Sequence, residues 1–144
     1  MTNTRPTVSM ADKVALIDSL CVKARILPVI TIAREQDILP LADALAAGGL
    51  TALEVTLRSQ FGLKAIQLLR EQRPELVTGA GTVLDRTMLA AAEAAGSQFI
   101  VTPGITRDLL EASVDSPIPL LPGISNASGT VSYTHLTLPT SDLV

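Results

Sequence analysis

The chain has 144 residues, a formal net charge of −3 and only 2% aromatic residues, and this length suits one domain with a proper hydrophobic core. Its 11 basic residues are scattered, so the sequence offers neither a basic stripe nor stacking platforms for nucleic acid. No apolar run approaches the roughly 20 residues that a membrane span requires. We therefore predict no nucleic-acid or membrane partner, and expect a small molecule or another protein subunit instead.

The amino-terminal stretch MTNTRPTVSMADK lacks the apolar core of a secretory signal, and Cys21 is the only cysteine, which excludes an internal disulfide. The expected location is therefore the cytoplasm. Ser9 and Asp12 mark the start of a predicted amino-terminal helix. One side of this helix carries Val14, Ile17, Cys21 and Ala24.

Five short β-type runs follow, and their starts are 21 to 26 residues apart. The runs are ILPVITI (26–32), ALEVTL (52–57), LVTGAGTV (76–83), QFIVTPG (98–104) and PLLPGIS (119–125). Amphipathic helix patterns separate them, with stop signals at Gly48, Pro74 and Gly96, and with Asp85 and Thr106 in N-cap positions. The apolar positions of these helices are Ile38, Leu41, Ala42 and Leu45, then Leu63, Ile66 and Leu69, then Met88, Ala91, Ala92 and Ala95.

Alternation of strand and helix at this interval is typical of βα units, in which the strands run parallel. The predicted fold class is α/β, a partial (β/α)8 TIM barrel with an amino-terminal helix and about five parallel βα units. A doubly wound open sheet is the competing arrangement, and spacing does not separate the two.

The second run alternates apolar and polar residues. Leu53, Val55 and Leu57 share one face of a strand, and Glu54, Thr56 and Arg58 share the other. A solvated antiparallel strand alternates in this way too. In a barrel, however, the polar column points inward, near the carboxyl-terminal strand ends where catalytic groups lie.

Several other sites are excluded or weakly indicated. A dinucleotide fingerprint needs glycine where Leu84 stands. The strand ends carry no phosphoacceptor aspartate, and His135 is the only histidine, so neither a Ser-His-Asp triad nor a multi-histidine metal site can form. Gly79 and Gly81 allow close approach of a ligand, or tight packing between strand and helix.

Five motifs in order, LPVI, EVTLR, GAGTV, TPG and PLLPGIS, resemble the 2-keto-3-deoxy-6-phosphogluconate (KDPG) aldolase and 4-hydroxy-2-oxoglutarate aldolase family. The resemblance covers residues from about 9 to 128. It implies a (β/α)8 barrel, usually a homotrimer, that uses no metal or other cofactor. It also implies that a lysine forms a Schiff base with pyruvate during cleavage of the phosphorylated keto-deoxy sugar acid to pyruvate and glyceraldehyde 3-phosphate, with 4-hydroxy-2-oxoglutarate as a second substrate.

The same resemblance assigns site residues by motif. Glu54 resembles the general acid/base that moves protons through water. Arg58 resembles the clamp for the pyruvate carboxylate, and Thr82 resembles a hydroxyl donor to that carboxylate. Pro103 resembles a wall of the keto-acid pocket. A carboxyl group inside a barrel is desolvated, which raises its pKa, while a nearby arginine lowers it.

Two parts of the family's site are missing. The Schiff-base lysine belongs to a sixth strand, whereas Lys13 and Lys23 lie in the amino-terminal helix and Lys64 lies in the helix after the second strand. The loops after strands seven and eight, which usually hold phosphate, have no counterpart. We expect no aldolase activity from the chain as written.

After about Ser128 the sequence changes to GTVSYTHLTLPTSDLV, which lacks the expected next helix and resembles translated adapter read-through. The predicted organisation is thus 1–128 as the amino-terminal part of a class I aldolase barrel, and 129–144 as a non-family tail, artefactual or disordered. The alternative is a natural short protein in which VSYTHLTL pairs with an exposed strand edge. Functional alternatives are an aldolase for the phosphogalactonate epimer, a non-catalytic keto-acid-binding or assembly domain, and an unrelated doubly wound domain.

Overall fold

The computed structural model describes residues 8–129 and 131. It contains five strands, which are β1 (Val29–Ile30), β2 (Ala52–Thr56), β3 (Val77–Gly81), β4 (Ile100–Thr102) and β5 (Leu120–Pro122). The α-helices are α1 (Met10–Ala24), α2 (Ile38–Ala47), α3 (Gly62–Gln72), α4 (Arg86–Ala94) and α5 (Arg107–Asp115), and a 3-10 turn (Glu35–Asp37) precedes α2. Each strand falls within its predicted run but is shorter than the run.

All neighbouring strands are parallel, and their order in the sheet is β1-β2-β3-β4-β5. A doubly wound sheet reverses its strand order at a switch point, and this sheet does not. The sequential order confirms the predicted partial barrel rather than the doubly wound alternative. Among the described residues the sheet is not closed, and β1 and β5 each have one strand neighbour there.

The hydrophobic core lies between one face of the sheet and the helices α2 to α5. Leu53 and Val55 of β2 contribute to this core, as predicted, and so do Ala80, Ile100 and Leu120 from the three following strands. The helices contribute the buried residues Ile38, Ala42, Ala65, Ile66, Leu69, Leu89, Ala92, Leu109, Leu110 and Ala112. One face of the sheet is therefore covered, and the opposite face, which we call the inner face, is free for polar side chains.

Three predicted N-caps are confirmed. Side-chain oxygens of Ser9, Asp85 and Thr106 accept hydrogen bonds from the backbone amides three residues further on, at 3.2, 2.8 and 3.2 Å. Each cap satisfies a backbone donor that has no partner within its helix. The caps fix where α1, α4 and α5 begin, and thereby the lengths of the loops at the strand ends.

On the side of α1 that the sequence singled out, Ile17 and Ala24 are half-buried. Val14 and Cys21 are exposed, whereas the buried residue is Lys13. The Lys13 ammonium donates hydrogen bonds to the carbonyls of Ser113 and Val114, at 2.9 and 3.0 Å. A polar anchor to the last turn of α5 therefore helps to decide how the helix docks, which an apolar pattern does not reveal.

A cavity of about 570 Å³ separates α1 from the amino-terminal ends of the strands, and residues such as Ile17, Thr51 and Phe99 line it. Helix α1 thus lies at the amino-terminal ends of the strands, whereas the predicted site lies at their carboxyl-terminal ends. None of the helices in the described part of the chain is long and apolar enough to cross a membrane.

A helix was not predicted after β5, but residues 127–129 and 131 are helical. The Asn126 side chain accepts a hydrogen bond from the Gly129 amide at 2.8 Å, as an N-cap residue does. The prediction was wrong here because it relied on apolar periodicity and overlooked this cap. Most of the predicted tail, including His135 and the segment VSYTHLTL, lies outside the described residues.

Candidate active site

The inner face carries the polar column predicted for β2. Glu54 is paired in register with Val29 of β1 and Gly79 of β3, and Thr56 is paired with Gly81. Leu53 and Val55 pack into the helix-side core, so the alternation of β2 places Glu54 and Thr56 on the opposite face. Arg58 lies two residues beyond the end of the strand and is exposed.

Glu54 is a buried carboxyl group with 7% of its surface exposed. Burial raises the pKa of Glu54 above its usual value, and the positive charge of Arg58 acts against this rise. The direction and both causes agree with what the sequence suggested. No hydrogen bond to the Glu54 carboxyl group is found among the described residues, so the carboxyl group is available to a ligand or to water.

Gly79 and Gly81 leave room for two side chains of neighbouring strands. A Cβ atom at position 81 would collide with the carboxyl group of Glu54, and one at position 79 would collide with the ring of Phe99. Both glycines therefore make room for side chains of the adjacent strands, an explanation that the sequence analysis did not offer. Glycine is needed at positions 79 and 81 because the side chains of Phe99 and Glu54 lie over the backbone of β3.

Arg58 and Thr82 meet where β2 and β3 end. The Arg58 Nε donates a hydrogen bond to the Thr82 hydroxyl at 3.0 Å. This contact leaves both terminal nitrogens of the guanidinium without a partner among the described residues, and it leaves the Thr82 hydroxyl proton free to donate. Such a set of donors suits a carboxylate, which accepts hydrogen bonds through two oxygens.

Thr82 has a positive φ of 61°. This left-handed conformation is a genuine outlier for a β-branched residue and costs about 1–3 kcal/mol. The strained backbone turns the chain out of β3 at the point where its hydroxyl meets Arg58. Backbone strain at a strand end that carries a polar pair is a feature of functional sites.

Pro103 directly follows β4 and is exposed. The chain after β5 comes close to it, since the Gly123 amide donates to the Thr102 carbonyl at 2.8 Å and a Cβ at position 123 would collide with the Pro103 carbonyl. Pro103 and Thr82 thus follow adjacent strands. Of the four predicted site residues, Arg58 contacts Thr82 and acts electrostatically on Glu54. Pro103 follows the adjacent strand β4.

The three lysines of the chain all lie in helices. Lys13 and Lys23 belong to α1, and Lys64 belongs to α3, where it forms an ion pair with Glu35. In the part of the chain that the structure describes, no strand of the sheet carries a lysine. Within the same residues, no cluster of histidine, cysteine and acidic side chains could hold a metal ion.

Sequence reasoning missed two residues of the inner face. Thr31 follows β1, and its hydroxyl lies 2.7 Å from the hydroxyl of Thr56. Phe99 is buried against Gly79, and Gly79 in turn is paired in register with Glu54. A signal for Thr31 was present, because it lies two positions after Val29 and so shares the face of that residue. The signal for Phe99 was the large side chain opposite a glycine.

Comparisons with known proteins agree with these features. The family model described as KDPG and KHG aldolase matches residues 17–140. The chain is 61% identical over 128 residues to the 2-dehydro-3-deoxy-phosphogluconate aldolase of Pseudomonas aeruginosa, covering 88% of this chain and 58% of that protein. It is 42% identical over 111 residues to the KHG/KDPG aldolase of Escherichia coli K12, covering 77% of this chain and 52% of that protein.

Solved structures show the same likeness. The KDPG aldolase of Zymomonas mobilis ATCC 29191 matches with a TM-score of 0.80 and 44% identity, covering 85% of this chain and 59% of that one. The KDPG aldolase of Legionella pneumophila, solved with pyruvate captured as a covalent carbinolamine intermediate, matches with a TM-score of 0.80 and 41% identity, covering 82% and 57%.

The chain spans somewhat more than half the length of these relatives. Within that span, the family model matches residues 17–140, and the identity to the Pseudomonas aeruginosa relative is 61%. The chain belongs to the KDPG and KHG aldolase family.

Proposed function

We propose that this chain carries the part of a KDPG aldolase site that binds the carboxylate of a keto acid and exchanges protons with its carbonyl oxygen. The observation that carries the proposal is the placement of the buried Glu54 carboxyl group on the same face as the Arg58–Thr82 pair. Arg58 and Thr82 donate to the substrate carboxylate, and Glu54 exchanges protons with the carbonyl oxygen through water.

The raised pKa of Glu54 supports this role. A general acid/base works best when its pKa lies close to the working pH, and burial moves that of Glu54 upward. The positive charge of Arg58 favours the ionised form of Glu54 and so opposes the rise in its pKa. The pair therefore suits a group that both donates and accepts protons.

The whole reaction proposed for the family site is aldol cleavage of 2-dehydro-3-deoxy-6-phosphogluconate to pyruvate and glyceraldehyde 3-phosphate through a lysine Schiff base, with 4-hydroxy-2-oxoglutarate as a second substrate. All three lysines of this chain lie in α1 and α3. We therefore propose that the chain alone binds pyruvate without forming the covalent adduct. The proposal includes a cytoplasmic location and, for the full-length family enzyme, a homotrimer.

Two rival functions remain to be distinguished by experiment. One is cleavage of the phosphogalactonate epimer, and the other is a non-catalytic keto-acid-binding or assembly domain. The Glu54 environment favours proton transfer over simple recognition, because a carboxyl group buried near a keto-acid site opposes binding of an anion unless it has another task.

The test is a titration of the isotope-labelled chain with pyruvate, followed by NMR. We expect shifts of the Arg58, Gly81 and Thr82 amides, and loss of these shifts in Arg58→Gln. Arg107→Gln is the matched control, because Arg107 pairs with Glu111 on the outer helix α5. Unchanged spectra at high pyruvate concentration would refute the keto-acid site.

A second measurement addresses covalent chemistry. The chain is incubated with pyruvate and borohydride, which reduces a Schiff base to a stable amine, and its intact mass is then measured. We expect no mass increase. A lysine adduct of pyruvate would overturn the proposal of non-covalent binding, and peptide mapping would identify the lysine.

A further inference from the structure

Three residues form one row across the inner face, on three neighbouring segments of the sheet. Glu54 of β2 is paired in register with Gly79 of β3. Phe99 lies next to Gly79 in turn, because it directly precedes Ile100, which is paired with Ala80. Ile100 packs into the helix-side core, so the alternation of the chain places Phe99 on the inner face. The row thus brings an acid, a glycine and an aromatic ring to the same level of the sheet.

The ring of Phe99 covers the backbone of β3 at Gly79, where it fills the space that a Cβ atom would need. The carboxyl group of Glu54 covers the same strand two residues further on, at Gly81. Two residues of a strand span about 7 Å, so the ring and the carboxyl group occupy consecutive positions over β3. Phe99 therefore fills the space on the amino-terminal side of the Glu54 carboxyl group.

The cavity below α1 reaches the same ring from the opposite direction. Phe99 and Val77 line this cavity of about 570 Å³, whereas Glu54 does not. Val77 precedes Gly79 on the inner face of β3, so the cavity ends one step before the row that contains Glu54. Phe99 is 1% exposed and is the largest of the fully buried side chains in the described part of the chain. Its ring stands between the cavity and the carboxyl group.

Few charged groups face Glu54 across these contacts. Arg58 is the charged residue that acts on its carboxyl group. Strands β1, β3 and β4 contain no titratable residue, and the cavity beyond Phe99 is lined by the charged residues Lys23 and Glu75. Removal of the ring would therefore expose Glu54 to a space that admits water and carries charges.

We propose that Phe99 is a positioning residue, which closes the floor of the keto-acid site and directs the Glu54 carboxyl group toward the strand ends where Arg58 and Thr82 meet. The inference rests on the function proposed above and adds a residue that acts through Glu54. An apolar ring on one side of a carboxyl group excludes solvent from that side and disfavours the charged form. Phe99 does not contact Arg58 or Thr82 in this arrangement, so its effect is on the acid.

The first test measures the Glu54 carboxyl group directly, by NMR titration of the full chain with isotope-labelled glutamate. In Phe99→Ala the cavity opens toward Glu54, and we expect the pKa of Glu54 to shift down toward its usual value of 4.5. Phe99→Leu keeps much of the apolar volume and should give a smaller shift in the same direction. Phe61→Leu is the matched control, because Phe61 packs against the helix-side core and should leave this pKa unchanged.

A purely structural role of Phe99 predicts a different result. Loss of packing alone lowers the urea concentration at which the variant unfolds, but it leaves the pKa of Glu54 in the folded state as it is in the wild type. A second measurement needs no variant. Nuclear Overhauser contacts between the ring protons of Phe99 and the side-chain protons of Glu54 should appear in the wild-type chain, and their absence would overturn the proposal even if both Phe99 variants failed to fold.

The pyruvate titration of the wild-type chain separates this inference from the proposed function. If the chain binds pyruvate but the pKa of Glu54 is the same in the wild type and in the folded Phe99 variants, the role of Phe99 is refuted and the keto-acid site stands. If the pKa shifts as expected but the wild-type chain does not bind pyruvate, the action of Phe99 on Glu54 is supported and the keto-acid site is refuted.

Discussion

The carboxyl group of Glu54 occupies the space that a side chain at position 81 would need. Glu54 belongs to β2 and Gly81 ends β3, so a glycine on one strand determines where the acid of the adjacent strand can lie. Gly81 therefore determines the position of the acid that the proposed chemistry requires.

Gly81→Ala should displace the Glu54 carboxyl group and destabilise the chain by about 1–3 kcal/mol, the usual cost of overpacking a filled site. Urea unfolding measures the free energy, and the pyruvate titration should show weaker binding. Gly104→Ala is the matched control, because a Cβ atom there meets nothing within 4 Å. Equal free energies of unfolding for the two variants would contradict the close contact.

Gly79→Ala should be destabilising for a different reason, since the new methyl group would collide with the ring of Phe99. Phe99→Leu supplies room, so the double variant should lose less than the sum of the two single losses, with a coupling of about 0.5–3 kcal/mol. A double-mutant cycle in urea measures this coupling. Strict additivity would show that the two residues do not compete for the same space.

The pH dependence of stability should carry the signature of Glu54. Its pKa is raised on folding, so the folded state holds more protons than the unfolded state above the usual pKa of 4.5. The stability that the protonated carboxyl group contributes is present at low pH. It is lost as pH rises from the unfolded pKa through the folded pKa.

Glu54→Gln removes this dependence, and the variant should therefore gain stability relative to the wild type between pH 4 and pH 7. The measurement is the free energy of unfolding in urea at both pH values. Glu71→Gln, at an exposed position of α3, reports the effect of the amide replacement alone. If Glu54→Gln instead lost stability relative to the wild type as the pH rose from 4 to 7, the pKa of Glu54 would not be raised by folding.

Lys13→Ala should release α1 from the end of α5. The Lys13 side chain is 4% exposed and donates to two carbonyls of α5, so its loss should cost about 1.5–3 kcal/mol, as for hydrogen bonds that involve a charged group. Lys23→Ala, on an exposed part of the same helix, should change stability by less than about 0.5 kcal/mol. Faster amide exchange across α1 in Lys13→Ala but not in Lys23→Ala would support the anchor.

The sequence by itself determined the parallel βα organisation, because strand and helix periods alternate at a nearly constant interval. It also determined the helix starts at Ser9, Asp85 and Thr106, since an N-cap is a local interaction that depends on one side chain and the next few amides. The inward direction of Glu54 followed from the period of a strand once the sheet was taken as parallel.

Only the tertiary structure decided relations between strands that are distant in sequence. The close contacts of Gly79 with Phe99 and of Gly81 with Glu54 depend on how adjacent strands are paired in register, which no local pattern specifies. The contact between the Thr31 and Thr56 hydroxyls likewise depends on how β1 is paired with β2. The docking of α1 through Lys13 requires the end of α5, some 100 residues away.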